Sequence, residues 1–475
     1  MTFRSQDRAS DDRRRETEET NMTANDRPRN PSRRKVALTT LVAGAAALAA
    51  PRLSLAQARP QQYFGLPSYR VGPFGAAGSG TFGGIIDYLT YINMTGGVNG
   101  VELIWQECET EYVAARGIEC YHRLLTYGPH RNIIFEPFST PMAYGLMARL
   151  PTDRVVIPQF LYGRSDAADG RVFPWMFTPM TNYWSGASAM INWIASREGG
   201  PGGLRGKTIV HLYLDNAYGR EPLPVFRTLA PKLGFTLREL PVAVPGLEQG
   251  AQWLQIRREN PDWVIFWGFG HGMSSTGLTS AARVGFPRER MLGIWWVGAE
   301  EDVVPAGPAA TGFFAATTVP GGRDFAVVRE IERVVYGAGR GNLADPRRIG
   351  GVFWNRGVAA AAMWIEALRN AQARFGMGQV MDGEQVRWGF ENINLTDARL
   401  RELGLHGMMP PMRLTCEDHE GAGVIKVGQW DGSRWVIVTP DWVSSDRPFI
   451  RAMVEESAAR YAAANNITPR VCPPA

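Results

Sequence analysis

The sequence predicts an α/β protein of two lobes, each a parallel sheet covered by helices. Three observations carry that expectation. The chain has 475 residues, more than one hydrophobic core organises, so at least two lobes are expected. It is 45% hydrophobic and 20% charged, a globular composition that excludes disorder over most of its length and a multi-span membrane protein. From residue 63 to residue 297, short apolar runs alternate with helical periods, the rhythm of parallel strands joined by helical crossovers.

The elements follow in order. Residues 81–93 place Phe82, Ile85, Ile86, Leu89 and Ile92 on one helical face. Gly96-Gly97-Val98-Asn99-Gly100 ends that helix in a tight turn, and 101–105 reads as a strand. A helix over 114–125, a strand over 132–135, a helix over 142–150 and a strand over 154–157 complete the first block. The second block has helices over 184–195, 225–233, 249–258 and 274–284. Its strands cover 208–214, 236–242, 263–267 and 291–297. Each strand is short and almost wholly apolar, as expected where both sheet faces are covered. Beyond these blocks come a helix over 352–373, strands near 412–416, 424–430 and 435–439, and a final helix over 448–464.

The N-terminal 58 residues read as an address. Residues 1–31 are polar without an apolar period, the composition of a disordered segment. Ser32-Arg33-Arg34-Lys35 then precedes an apolar run over 36–50, and Ala56-Gln57-Ala58 supplies a small-x-small cleavage site. This is a secretory leader with paired arginines, which resembles a twin-arginine signal. Cleavage is expected near Arg59, and the expected location is the periplasm. The leader carries a net charge of +4 and the remainder +1. The nearly neutral body offers no electrostatic case for nucleic acid.

Export to an oxidising compartment makes disulfides the natural reading of the four cysteines, Cys108, Cys120, Cys416 and Cys472. Three pairings are possible. The local one joins Cys108 to Cys120, and Cys416–Cys472 then pins the C-terminal tail. A metal at Cys416 and His419 lacks a second ligand pair of suitable spacing.

Gly78-Ser79-Gly80-Thr81-Phe82-Gly83 matches the G-x-G-x-x-G pattern before a helix, and Glu107 ends the next strand. The pattern suits a dinucleotide site and an exported oxidoreductase, or glycines that admit a close approach. No metalloprotease, nucleophile-elbow or P-loop motif occurs. Glu300, Glu301 and Asp302 form an acidic run expected on a solvated turn. Aromatic residues gather just past strand ends: Phe160 and Tyr162, Trp267 and Phe269, Trp295 and Trp296. Several such clusters at carboxyl ends of parallel strands suit a ligand cleft.

Val71-Gly72-Pro73, then Phe82 and Gly84, then Ile92-Asn93-Met94-Thr95-Gly96-Gly97-Val98-Asn99-Gly100 form an ordered series. Asp215-Asn216-Ala217-Tyr218-Gly219, Asn260-Pro261-Asp262-Trp263-Val264 and Gly312-Phe313-Phe314-Ala315 continue it. In order and interval the series resembles the periplasmic leucine/isoleucine/valine-binding protein family, the substrate receptors of branched-chain amino-acid-type ABC importers. The resemblance covers about residues 63–440. It implies two doubly wound parallel-sheet lobes joined by three crossovers, the type I periplasmic binding fold. Lobe one would be 63–179 plus 312–423, lobe two 180–311 plus 424–447, and 448–475 a C-terminal helix and tail. It implies a monomer without catalysis, metal or cofactor that closes on a small ligand and docks on a membrane permease; a ligand-sensing module of a membrane receptor is the other non-enzymatic reading.

Carried over residue by residue, the resemblance implies a carboxylate site at Ser139 and Thr140 and a second strand-end segment at Gln159, Phe160 and Leu161. Tyr218 and Phe269 match cleft aromatics, and Ala77 stands where the family has a tyrosine. Trp295 falls where the family places an acid for the ligand ammonium. Leu161 and Trp295 would leave an ammonium unpaired, which is costly when buried. The expected ligand is therefore an aromatic or apolar carboxylate rather than a branched-chain amino acid.

Overall fold

The computed structural model describes residues 59–473; the leader expected over 1–58 lies outside the described residues. The first lobe opens with the parallel pair Gln61–Leu66 and Glu102–Glu107, in register from Gln61 opposite Glu102 to Leu66 opposite Glu107. Beyond this pair the parallel pairing gives way to single bridges, Ile134 with Val156 and Ile157 with Met176, beside the short antiparallel pairs Thr126–Tyr127 with His130–Arg131 and Asn394–Leu395 with Met412–Arg413. The expected strands over 132–135 and 154–157 survive as these bridges, with Val156 accepting from Phe135 N–H at 2.9 Å. The second lobe is regular. Its sheet runs Thr236–Val242, Thr208–Leu214, Trp263–Trp267, Met291–Gly293, Phe314–Thr317, Val424–Trp430, Trp435–Ile437. The first five strands are parallel and the last two join antiparallel. All residues of Trp263–Trp267 are buried, as coverage on both faces requires.

Several expectations are corrected. Phe314–Thr317 hydrogen-bonds within the second lobe's sheet, so the boundary expected at 312 moves past Thr317. The strand expected over 291–297 stops at Gly293, and Trp295–Val297 forms a 3₁₀ turn. A strand would send the two adjacent indoles to opposite faces; here both indole N–H groups donate to Leu161 O, at 2.8 and 3.0 Å.

The helix expected from residue 81 begins at Gly75 and runs to Met94. The glycine motif lies inside it. A Cβ at Gly84 would stand 2.1 Å from Trp354 O, and one at Gly357 1.9 Å from Thr81 O. These glycines let Gly75–Met94 pack backbone to backbone against Val352–Phe375. Gly78–Gly83, read as a dinucleotide motif, lies inside this helix with all but Ser79 buried, and Glu107 pairs with Arg70 at 2.8 Å, so the arrangement lends the oxidoreductase reading no support.

Two of the crossovers lie side by side. Thr178 and Met180 N–H groups donate to His419 O and Glu420 O, and Thr181 Oγ1 both donates to Val424 O at 2.6 Å and accepts from Val424 N–H at 3.0 Å. Both expected disulfides are present, Cys108–Cys120 and Cys416–Cys472. The final helix, Arg447–Ala464, touches both lobes: Ser457 donates to Asp166 at 2.8 Å, while the Asp446 N–H donates to Ser188 Oγ at 3.0 Å. Arg470 in the tail donates to Gly170 O at 2.8 Å. Among the described residues no group of three or more ligands could hold a metal ion, and no helix is long and apolar enough to cross a membrane.

Candidate functional site

Loops after the parallel strands of both lobes meet in one cluster of buried aromatic rings, the candidate cleft between the lobes. Phe74, which caps the first helix after Gly72-Pro73, stacks on Phe269 of the second lobe with centroids 4.9 Å apart and planes at 10°. Tyr112 completes this wall at 4.6 Å from Phe74 and 5.0 Å from Phe269. Trp296 meets Phe269 edge-on at 5.6 Å, Phe138 at 6.5 Å and Phe353 at 6.3 Å. Tyr218 and Tyr183, 5.3 Å apart, close the second lobe's side. The first lobe supports its share on unusual backbone: Tyr112, Phe138, Gln159 and Leu161 have φ of 61°, 47°, 46° and 66°. Such left-handed residues other than glycine carry strain and gather at sites where the chain must present specific groups.

The structure places the sequence-predicted residues as follows. Ala77, Ser139, Thr140, Gln159, Phe160, Leu161, Tyr218, Phe269 and Trp295 are all buried. Thr140 Oγ1 accepts from Gly163 N–H at 3.2 Å. Gln159 donates to Phe177 O and accepts from Arg164 N–H, and the Phe160 N–H faces Glu136 at 3.4 Å. Tyr218 donates to Gly268 O at 2.8 Å, which fixes its ring beside Phe269. Leu161 and Trp295 are brought together by the indole–carbonyl bond. The Trp295 ring itself lies in the second lobe, stacked on Tyr183 at 5.6 Å and against Gly186, where a Cβ would sit 2.6 Å from it. Its neighbour Trp296 is the indole that faces Phe138, Phe269 and Phe353.

Sequence reasoning missed Tyr69, Phe74, Tyr112 and Arg356, and of the strand-end pair Trp295 and Trp296 it carried only Trp295 into the site. Arg356 had a legible signal, being the one charged residue between Val352 and Ile365. It is fully buried. Nη2 donates to Trp295 O at 2.7 Å, and the guanidinium lies 5.2 Å from the Trp296 centroid and 5.3 Å from that of Phe353. Among the described residues Nε and Nη1 have no acceptor, and the buried Tyr69 hydroxyl also lacks a partner. Burial lowers the Arg356 pKa to about 10, against the opposing pull of Asp302 and Glu300; the group stays cationic at neutral pH.

The acidic run is not the solvated turn expected. Asp302 is fully buried, accepts from Ser274 Oγ at 3.0 Å and from Ala299 N–H at 3.1 Å, and burial pushes it up to about 8. Glu300 accepts from Val352 N–H at 3.0 Å, capping the long helix of the other lobe. Glu301 pairs with Arg348, whose Nε lies 3.0 Å away. The run therefore ties the lobes together. Glu136 is buried at the cleft's first-lobe side, and burial raises it to about 8.

The periplasmic binding protein profile matches residues 61–434. The chain belongs to that family. A structure described as an ABC transporter permease from the Pseudomonas fluorescens group is 43% identical, with a TM-score of 0.81, covering 87% of this chain and 99% of that one. A branched-chain amino acid ABC transporter protein from Thermus thermophilus with bound valine is 20% identical, with a TM-score of 0.69 over 84% of this chain and 99% of that one. A solute-binding protein of an ABC transporter from R. palustris in complex with benzoate is 16% identical, with a TM-score of 0.63 over 82% and 97%. No curated protein matches this chain. The periplasmic binding protein fold expected here, two α/β lobes of type I topology, is thus the fold observed. This periplasmic binding protein is a solute-binding component of the ABC transporter class.

Proposed function

We propose that the chain captures a small solute with an aromatic or apolar body between its lobes and delivers it to the membrane permease of an ABC importer. Capture takes place in the periplasm, after export directed by the leader. The observation that carries this reading is the aromatic cleft. Rings from both lobes meet at Phe74 and Phe269, so a planar apolar ligand that slips between them is covered on both faces when the lobes close. Leu161, Tyr218, Phe269 and Trp296 line its path, with Ser139 and Thr140 at the first-lobe end. A valine-bound and a benzoate-bound relative share the fold, and the walls here favour the second kind of ligand. The test is a thermal-shift screen of the exported protein against aliphatic amino acids, aromatic acids and their neutral analogues. Ligands that bind only the folded state raise the melting temperature. Aromatic compounds are expected to do so and valine is not; a response to valine or leucine alone rejects the reading.

A further inference from the structure

We propose that Arg356 is the anion receptor of the cleft, and that the ligand therefore carries a carboxylate. The inference rests on the cleft reading above and adds the chemistry of its charged end. The residue projects from the second turn of Val352–Phe375, a helix held in place by glycine contacts and so unable to withdraw. Its guanidinium is bonded through Nη2 alone, to Trp295 O. Nε and Nη1 leave three N–H bonds unused in a fully buried place.

Among the described residues no carboxylate forms an ion pair with Arg356, although three acids stand on the neighbouring turn. Each of these is engaged elsewhere: Glu300 with Val352 N–H, Glu301 with Arg348, Asp302 with Ser274 and Ala299. A buried cation without its counter-ion is costly. The missing partner is one planar monoanion. A carboxylate meets a guanidinium edge with two parallel charge-assisted bonds. The rings of Trp296 and Phe353 lie beside it, an apolar setting for the body attached to that group. The orphaned Tyr69 hydroxyl, on the first lobe, offers one further donor. An ammonium placed beside Arg356 would meet an existing positive charge. Ser139 and Thr140, expected to hold the carboxylate, offer neutral hydroxyl donors; the opposite charge is supplied by Arg356.

The experiment is calorimetric titration of the exported protein with benzoate, cinnamate, benzamide, cinnamamide and phenylalanine. At least one acid is expected to bind at least 100-fold more tightly than its amide, with phenylalanine weaker than either acid. Arg356→Met should weaken the acids far more than the amides and so collapse the acid-to-amide ratio. Equal affinity of acid and amide overturns the anion receptor while the aromatic cleft stands. Undiminished acid binding by Arg356→Met does the same. Binding of none of the five compounds overturns the cleft reading and the receptor together. Near-ultraviolet circular dichroism checks the variant's fold; if Arg356→Met does not fold, the acid-to-amide ratio on the unmodified protein decides.

Discussion

The second lobe holds its half of the cleft on five parallel strands, from Thr236–Val242 to Phe314–Thr317, whereas the parallel ladder of the first lobe has two strands among the described residues. Past Glu107 the first lobe continues through single bridges and left-handed residues. Its order comes instead from the packing of Gly75–Met94 on Val352–Phe375 and from ties to the tail. One lobe is thus stabilised by a hydrogen-bond ladder, the other by helix contact and covalent anchoring. The lobe without the ladder is free to shape its strand ends, which is where the strained residues of the cleft sit.

The largest effect should come from breaking the helix contact. Gly357→Val places atoms on a backbone carbonyl that no rotamer avoids. The loss is expected to be about 4 kcal/mol, or folded protein fails to accumulate. Gly202→Ala in the second lobe, with nothing within 4 Å of its Cβ, should stay within about 0.5 kcal/mol of the parent in a denaturant melt. A parent-like Gly357→Val would remove the basis of the contrast.

Next come the two adjacent tryptophans. Trp295→Phe should cost about 1–2 kcal/mol of stability by losing a buried hydrogen bond and ring area. Its effect on aromatic ligand affinity should be small. Trp296→Phe should lower that affinity about tenfold by titration calorimetry with a smaller change in melting temperature. The reverse pattern would return the ligand to the Trp295 ring.

The smallest effect is electrostatic and confined to the first lobe. Burial opposes ionisation of Glu391, yet His419 and Arg470 hold its carboxyl down at about 2. A folded-state value below the unfolded one contributes stability that is complete above the unfolded carboxylate range and is lost as pH falls through about 2. Amide-exchange protection in the tail around Arg470, corrected for the intrinsic rate at each pH, should therefore fall between pH 5 and pH 2, before protection in the second lobe's sheet. Glu391→Gln should abolish that interval. Simultaneous loosening of tail and sheet would contradict the separation.

The same contrast decides what was legible in the sequence. The second lobe's strands Thr208–Leu214 and Trp263–Trp267 are where apolar runs placed them, because two-sided burial writes itself into composition, and the half-exposed edge strand Thr236–Val242 also stands where expected. The first lobe's bridges span one or two residues, too few to impose a period. The glycine motif misled because close helix packing and phosphate binding both ask for absent side chains. Both disulfides were legible from export and count. Phe269 and Tyr218 were placed by the order of strand-end segments. Phe74 and Tyr112 were not, since each sits in a loop whose path depends on tertiary contact. Arg356 was passed over inside a helix read as core, although a lone charge in an apolar stretch is an anomaly that needs a reason.

The aromatic walls also have a calorimetric consequence. When a ligand fills the cleft and the lobes close, ring surface leaves water, and burial of apolar surface gives a negative change in heat capacity. The enthalpy of binding then becomes steadily more exothermic on warming while the entropy falls in step. A receptor built on rings rather than on many polar contacts therefore holds its ligand with nearly constant affinity across the temperatures its cell meets, even as the balance of heat and disorder behind that affinity is exchanged.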